Sequence, residues 1–126
     1  MSQEHRDAAI RVLMMPRDTN YHGTIFGGVI LSHIDQAGAV AAIQAGCKQV
    51  ATVAMDKVEF HQPVKVGELV SFYTEIVKIG KTSVTIQVSV EATQRDGGET
   101  VPVTSALITF VNLDNDGKKI PVPRND

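Results

Sequence analysis

From residue 84 to residue 92 the chain reads VTIQVSVEA. Val84, Ile86, Val88 and Val90 alternate with Thr85, Gln87, Ser89 and Glu91. A period of two predicts a strand with one buried and one more polar face. The same period runs through Val70, Phe72, Thr74 and Ile76 against Ser71, Tyr73, Glu75 and Val77. It recurs in Ala54, Val58 and Phe60 against Met55, Lys57 and Glu59. SALITFVNL, residues 105–113, predicts a last strand. DAAIRVLMM, residues 7–15, alternates poorly but stops at Pro16 and predicts a first one. Between these runs HQPVKVGE, KIGKTS, RDGGE and DNDGKK all carry glycine or proline and mark turns.

Between Gly28 and about Gly46 the period changes. Ile30, Ile34, Ala37 and Ala41 recur at steps of three or four, which predicts a helix, and Gly46 is a plausible stop. PRDTNYHG, before it, is a loop. The order is therefore one strand, one long helix and four long strands, an α+β architecture. Ala37, Gly38, Ala39, Ala41 and Ala42 give the helix little bulk, so a sheet could curl closely around it. The tail PVPRND is expected to be mobile.

The 126 residues fit one domain, 1–126, able to bury a core without disulfide or metal. A net charge of −2 leaves no electrostatic footprint for nucleic acid, and no basic run marks a membrane surface. Asp35, Gln36 and Gln44 break the apolar stretches, so no spanning helix is expected. Cys47 is the only cysteine and is read as a packed thiol. MSQEHRDAAI lacks a cationic segment followed by an apolar one, so no signal peptide is read there. A cytoplasmic protein is the default expectation.

Between Asp18 and Lys48 the only formal charge is Asp35, near the middle of the helix segment. Burying an unpaired carboxylate is costly. Asp35 could simply point to solvent, but its neighbours one turn away, Leu31, Gly38 and Ala39, are apolar or tiny. A glycine-containing loop also leads into the same helix. Backbone N–H groups at a helix start lack partners, and Gly27 and Gly28 would let a ligand approach them closely. FGG could be mere chain packing; the alternative is an oxyanion hole. Asp35 lies eight residues beyond Gly27, about 12 Å along a helix. One chain can hardly bring both to one reacting carbonyl. If both act, the site joins two subunits.

MPRDTNYHGTIFGGVILSHIDQAG resembles the signature region of hotdog-fold acyl-CoA thioesterases, in the short bacterial acyl-CoA hydrolase branch related to brain acyl-CoA hydrolase. VATVAMDKVEF, FHQPVKVGELV and KIGKTSVTIQVSV extend the likeness over nearly the whole chain. The resemblance implies a curved antiparallel sheet wrapped around one helix. It implies hydrolysis of acyl-CoA to free acid and CoA, no cofactor, a homodimer as the minimal active unit and often a homohexamer built as a trimer of dimers. By position, Asp35 would be general base or nucleophile, Asn20 would hold the water or thioester, and the Gly27 N–H would polarise the carbonyl. Thr52 would orient water. Gly28, Phe26 and Phe60 would meet the substrate, and Gly80, Lys81, Thr82 and Ser83 would contact CoA. A related branch has histidine where this chain has Phe26, which places the chain nearer the brain-type branch.

The chemistry is coherent without the name. A thiolate leaves readily, so a base or nucleophile plus an oxyanion donor can suffice. His22 and His33 show no metal-ligand spacing, so no metal is expected, and His61 reads as a turn residue. Lys118, Lys119 and Arg124 could meet nucleotide phosphates, or be solvated tail charges. Two other functions compete: a non-catalytic acyl-CoA-binding module, and a hotdog hydratase or dehydratase, which would want a histidine better placed than His22.

Overall fold

The computed structural model describes residues 7–124. Residues 1–6, which open the stretch read for a signal peptide, and Asn125 and Asp126 of the tail lie outside the described residues. The elements are β1 (Ile10–Leu13), α1 (Gly27–Gln44), β2 (Gln49–Phe60), β3 (Leu69–Ile79), β4 (Ser83–Thr93) and β5 (Thr100–Leu113). A short 3₁₀ turn at Pro16–Asp18 interrupts the loop before α1. The strands form one antiparallel sheet in the order β1-β3-β4-β5-β2.

The alternation in β4 translates directly: Val84, Ile86, Val88 and Val90 are buried, and the residues between them are partly exposed. Ala106, Ile108 and Phe110 of β5 continue that face. α1 lies against it through Ile30, Ile34, Ala37, Gly38 and Ala42. At Gly38 the approach is closest. A Cβ there would stand 2.7 Å from Phe110 Cε2 and 2.9 Å from Ile108 Cγ2. The small residues of the helix thus let the sheet close around it. The helix stops at the expected place, with Gly46 at φ +109° and the Cys47 N–H donating to the Ala42 carbonyl.

Three expectations need correction. β5 begins at Thr100, five residues before the predicted start, and includes Pro102. Its pairing with β4 shifts between Val90 and Glu91, opposite Thr104 and Pro102, so the residue without an N–H sits at an irregularity. In β2 the alternation fails: register shifts fall between Thr52 and Ala54 and between Asp56 and Glu59, and Lys57 has φ 52°. Bulges of this kind move side chains off their nominal face. The tail is pinned as far as Arg124 rather than mobile. Val122 is buried and its N–H donates to the Lys81 carbonyl. The buried Asn112 side chain donates to the Pro121 carbonyl at 3.0 Å and accepts the Lys48 N–H at 2.8 Å.

Gly38→Ala should destabilise the protein although alanine is the better helix former. The propensity gain is about 1 kcal/mol, and forcing a methyl into a packed core costs about 1–3 kcal/mol. Two buried β5 side chains must move to admit it. Urea unfolding should show a lower midpoint; an unchanged or higher midpoint would mean the helix is free to lift off the sheet.

Candidate active site

Asp35 follows the fully buried Ile34 on α1 and is itself half-buried. Its side of the helix looks toward β2, where the Thr52 hydroxyl donates to Asp35 Oδ1 at 2.6 Å. Among the described residues no cation pairs with this carboxylate and Oδ2 has no partner. A carboxylate held at one oxygen by a hydroxyl and open at the other is suited to accepting a proton from water. Thr52, expected to orient water, here gives its hydroxyl hydrogen to Asp35.

The helix start is built differently. Phe26 is the N-cap, offers no side-chain cap, and accepts the Val29 and Ile30 N–H groups on its carbonyl. The N–H groups of Gly27 and Gly28 find no partner among the described residues. The loop that aims them is wound around Asn20. Its Oδ1 accepts the His22 N–H at 2.8 Å and the Thr24 N–H at 3.2 Å, and its Nδ2 donates to Thr24 Oγ1 at 3.1 Å. The Phe26 N–H then donates to the Asp18 carbonyl and the Ile25 N–H to the Val64 carbonyl. Asn20 thus organises the loop, with one amide hydrogen to spare. No contact links it to Asp35 within the protomer.

Beside Gly27 opens a cavity of about 350 Å³. Ile25, Ile30, Phe60 and Val64 make it mostly apolar, with His61 and Thr104 among its polar lining. The Phe60 ring is 53% exposed and would stand 3.3 Å from a Cβ on Gly27. Phe26 is exposed and does not line this cavity, and Tyr21 is 91% exposed.

The Gly80–Ser83 hairpin is clamped through its backbone. Gly80 donates to the Ser83 carbonyl, and the carbonyls of Lys81 and Thr82 accept the N–H groups of Val122 and Asn112. The Lys81 side chain is exposed. The Arg124 guanidinium donates to the carbonyls of Ile79 and Gly80 at 3.0 and 3.3 Å. A second cation therefore sits on the same hairpin, which sequence reasoning had left among possible solvated charges. Asp35 with Thr52, the Gly27 donors, and this hairpin remain three separate groups within one protomer. Along α1 the first two are eight residues, about 12 Å, apart.

Of the remaining described histidines and the cysteine, only His61 shares the cavity beside Gly27. His22 is exposed and stacks on Tyr21 at 3.9 Å between ring centroids. His33 Nδ1 lies 2.9 Å from the Val29 carbonyl. His61 lies just past β2, where its N–H donates to the Val103 carbonyl. Cys47 is buried, and burial pushes its thiol pKa up, which suppresses the thiolate. Sequence reasoning missed Thr104, because the last strand was predicted to begin one residue after it. Among the described residues no helix is long and apolar enough to cross a membrane.

Residues 22–100 match the Thioesterase superfamily. A Zymomonas mobilis protein named an uncharacterized acyl-CoA thioester hydrolase is 41% identical over 117 residues, covering 93% of this chain and 78% of that protein. A hexameric hotdog fold thioesterase of Campylobacter jejuni superposes with a TM-score of 0.87 at 43% identity, over 93% of this chain and 90% of that one. A hexameric broad specificity acyl-coenzyme A thioesterase, solved with an aspartate replaced by alanine, superposes with a TM-score of 0.90 at 37% identity, over 96% of this chain and 89% of that one. With its single long helix held in a curled antiparallel sheet, the chain belongs to the hotdog-fold thioesterase superfamily.

Proposed function

We propose that the chain hydrolyses acyl-CoA thioesters to a free acid and CoA, with Asp35 as general base or nucleophile. The observation that carries this is the Asp35–Thr52 pair: a lone helix carboxylate, kept in place by a hydroxyl, in a chain of this superfamily. Asp35 takes a proton from the attacking water, or attacks the carbonyl itself to give an acyl-aspartyl anhydride that water then hydrolyses. The Gly27 N–H, with Gly28 beside it, receives the charge that develops on the carbonyl oxygen. The thiolate of CoA then leaves. The spare amide hydrogen of Asn20 serves the water or the thioester. Relatives named as thioester hydrolases favour this over a non-catalytic acyl-CoA-binding module or a hydratase.

Residues 1–126 are taken as one hotdog thioesterase domain whose minimal active unit is a homodimer. β2 supports the dimer. It is an edge strand of 12 residues, and Val53 and Phe60 on it are exposed. A long edge is a template for pairing. Antiparallel pairing of two β2 strands about a two-fold axis sets the Phe60 end, near Gly27, against the partner's Thr52 end, beside Asp35. That arrangement closes the gap between donor and acid. Two solved relatives are hexameric, which supports reading this chain as a homohexamer, a trimer of such dimers. Phe26 and Phe60 flank the acyl group. Gly80, Lys81, Thr82 and Ser83, joined by Arg124, meet the CoA phosphates. No cofactor takes part. A buried free thiol at Cys47 fits a reducing compartment, and the cytoplasm is the expected place of action.

Asp35→Asn should lower kcat by about 10²–10⁴-fold. The fold should persist, because the amide oxygen can still accept from Thr52. Free-thiol release from an acyl-CoA panel measures this, and near-normal turnover in folded protein would remove Asp35 from the mechanism.

Lys81→Ala should raise KM for acyl-CoA several-fold and leave a thioester lacking the nucleotide unaffected. A charge near a phosphate contributes binding common to ground and transition states. Equal effects on both substrates would show that Lys81 is only solvated.

The two-subunit site predicts complementation between an Asp35→Asn chain and a Gly27→Pro chain. Proline removes the N–H but suits the first helical position. Phe26 before it has φ −56° and ψ 134°, the conformation a following proline favours. Neither parent has an intact site; each mixed dimer has one. Random reassembly should restore about a quarter of wild-type activity, because half the dimers are mixed and each carries one of two sites. Inactive mixed dimers from folded parents would mean that Asp35 and Gly27 do not meet across an interface.

A further inference from the structure

Thr104 is 2% exposed, and its hydroxyl is the one buried side-chain polar atom without a hydrogen-bond partner among the described residues. It also lines the cavity beside Gly27. Its direction follows from register. Thr104 pairs with Phe60 of β2 and Val90 of β4, and it continues the stripe of Ala106, Ile108 and Phe110 that faces α1. At this end of the sheet the facing part of the helix is its start, since Gly27 and Ile30 share the cavity lining. The fold does not need a hydroxyl here. Valine has the same shape, suits a strand better and would leave nothing unpaired.

We propose that Thr104 is a specificity residue of the acyl site, and that the cavity takes an acyl group bearing a hydroxyl or carbonyl oxygen that bonds to its Oγ1. The inference rests on the thioesterase reading above and deepens it. The surrounding walls are apolar, from Ile25, Ile30, Phe60 and Val64, so an unsubstituted chain also fits. Only an oxygen-bearing chain satisfies the hydroxyl. His61 and Gln62 are exposed, whereas Thr104 is buried, so the deep polar contact is its own. A threonine hydroxyl both donates and accepts, so hydroxyl and keto oxygens are both suitable partners.

The test compares acyl-CoAs matched in length, butyryl and hexanoyl against their 3-hydroxy and 3-oxo counterparts. The ratio of kcat/KM for oxygenated over plain substrate should fall about tenfold in Thr104→Val, the worth of one hydrogen bond. Thr104→Ser, which keeps the hydroxyl, should retain most of the wild-type ratio. Thr104→Val should melt at or above the wild-type temperature, since it removes a partnerless polar atom. An unchanged ratio in active Thr104→Val overturns this inference and leaves the hydrolase reading standing. A melting point lowered by several degrees, or failure to fold, overturns it too, because the hydroxyl would then serve the fold. Wild-type protein that releases no thiol from any acyl-CoA overturns both.

Discussion

The close approach of α1 to β5 at Gly38 governs what the rest of the chain can do. Phe110 is the residue that Gly38 meets, and Phe110 pairs in register with Thr52 of β2. Thr52 in turn holds Asp35, one turn before Gly38 on the helix. One rung of the sheet therefore fixes both the depth of the helix and the place of its carboxylate. A bulkier residue at position 38 would lift the helix and lengthen a 2.6 Å hydrogen bond that tolerates little stretching. Packing and chemistry here share the same few atoms.

β2 has the opposite character. It pairs on one side only, and two register shifts and a left-handed Lys57 break its pleat. A regular strand at that edge would present a flat template open to any partner, and bulges limit such pairing. Yet the strand carries Thr52 at one end and Phe60 at the other, so it touches both the acid and the cavity. A two-fold axis through it is an economical way to join groups that α1 holds about 12 Å apart.

Legibility from sequence followed the range of the forces involved. β4 was plain because both its faces are set by local alternation, and the helix because its period and its glycine stop are local too. Asp35 stood out because charge is absent around it. What escaped depended on contacts distant in sequence. The last strand reaches back past SALITFVNL to Thr100 and takes in Pro102, because a register shift against β4 accommodates it. PVPR looked like a free tail, but Asn112 and the Lys81 carbonyl capture it from other elements. Asn20 was assigned to substrate by position, while most of its bonding capacity goes to its own loop. Thr104 fell outside the predicted strand and carried no pattern of its own.

Two of the polar groups left without partners among the described residues, the Gly27 N–H and the Thr104 hydroxyl, border one cavity. The α1 start has no side-chain cap, although serine, threonine, asparagine or aspartate there commonly stabilises by about 1 kcal/mol. Phe26 occupies the cap position, and the Asn20 side chain bonds within its own loop. The Gly28 N–H, which a cap could take, stays open, and so does the Gly27 N–H before it. Thr104 Oγ1 is likewise unpaired, and both residues line the same cavity. One donor at the helix start and one buried hydroxyl thus border the same space. Each unmet donor or acceptor lowers stability in the empty state and is recovered when a ligand oxygen arrives. On the readings proposed above, a ligand would bring a carbonyl oxygen to the helix start and a second oxygen, deeper along the chain attached to it, to Thr104.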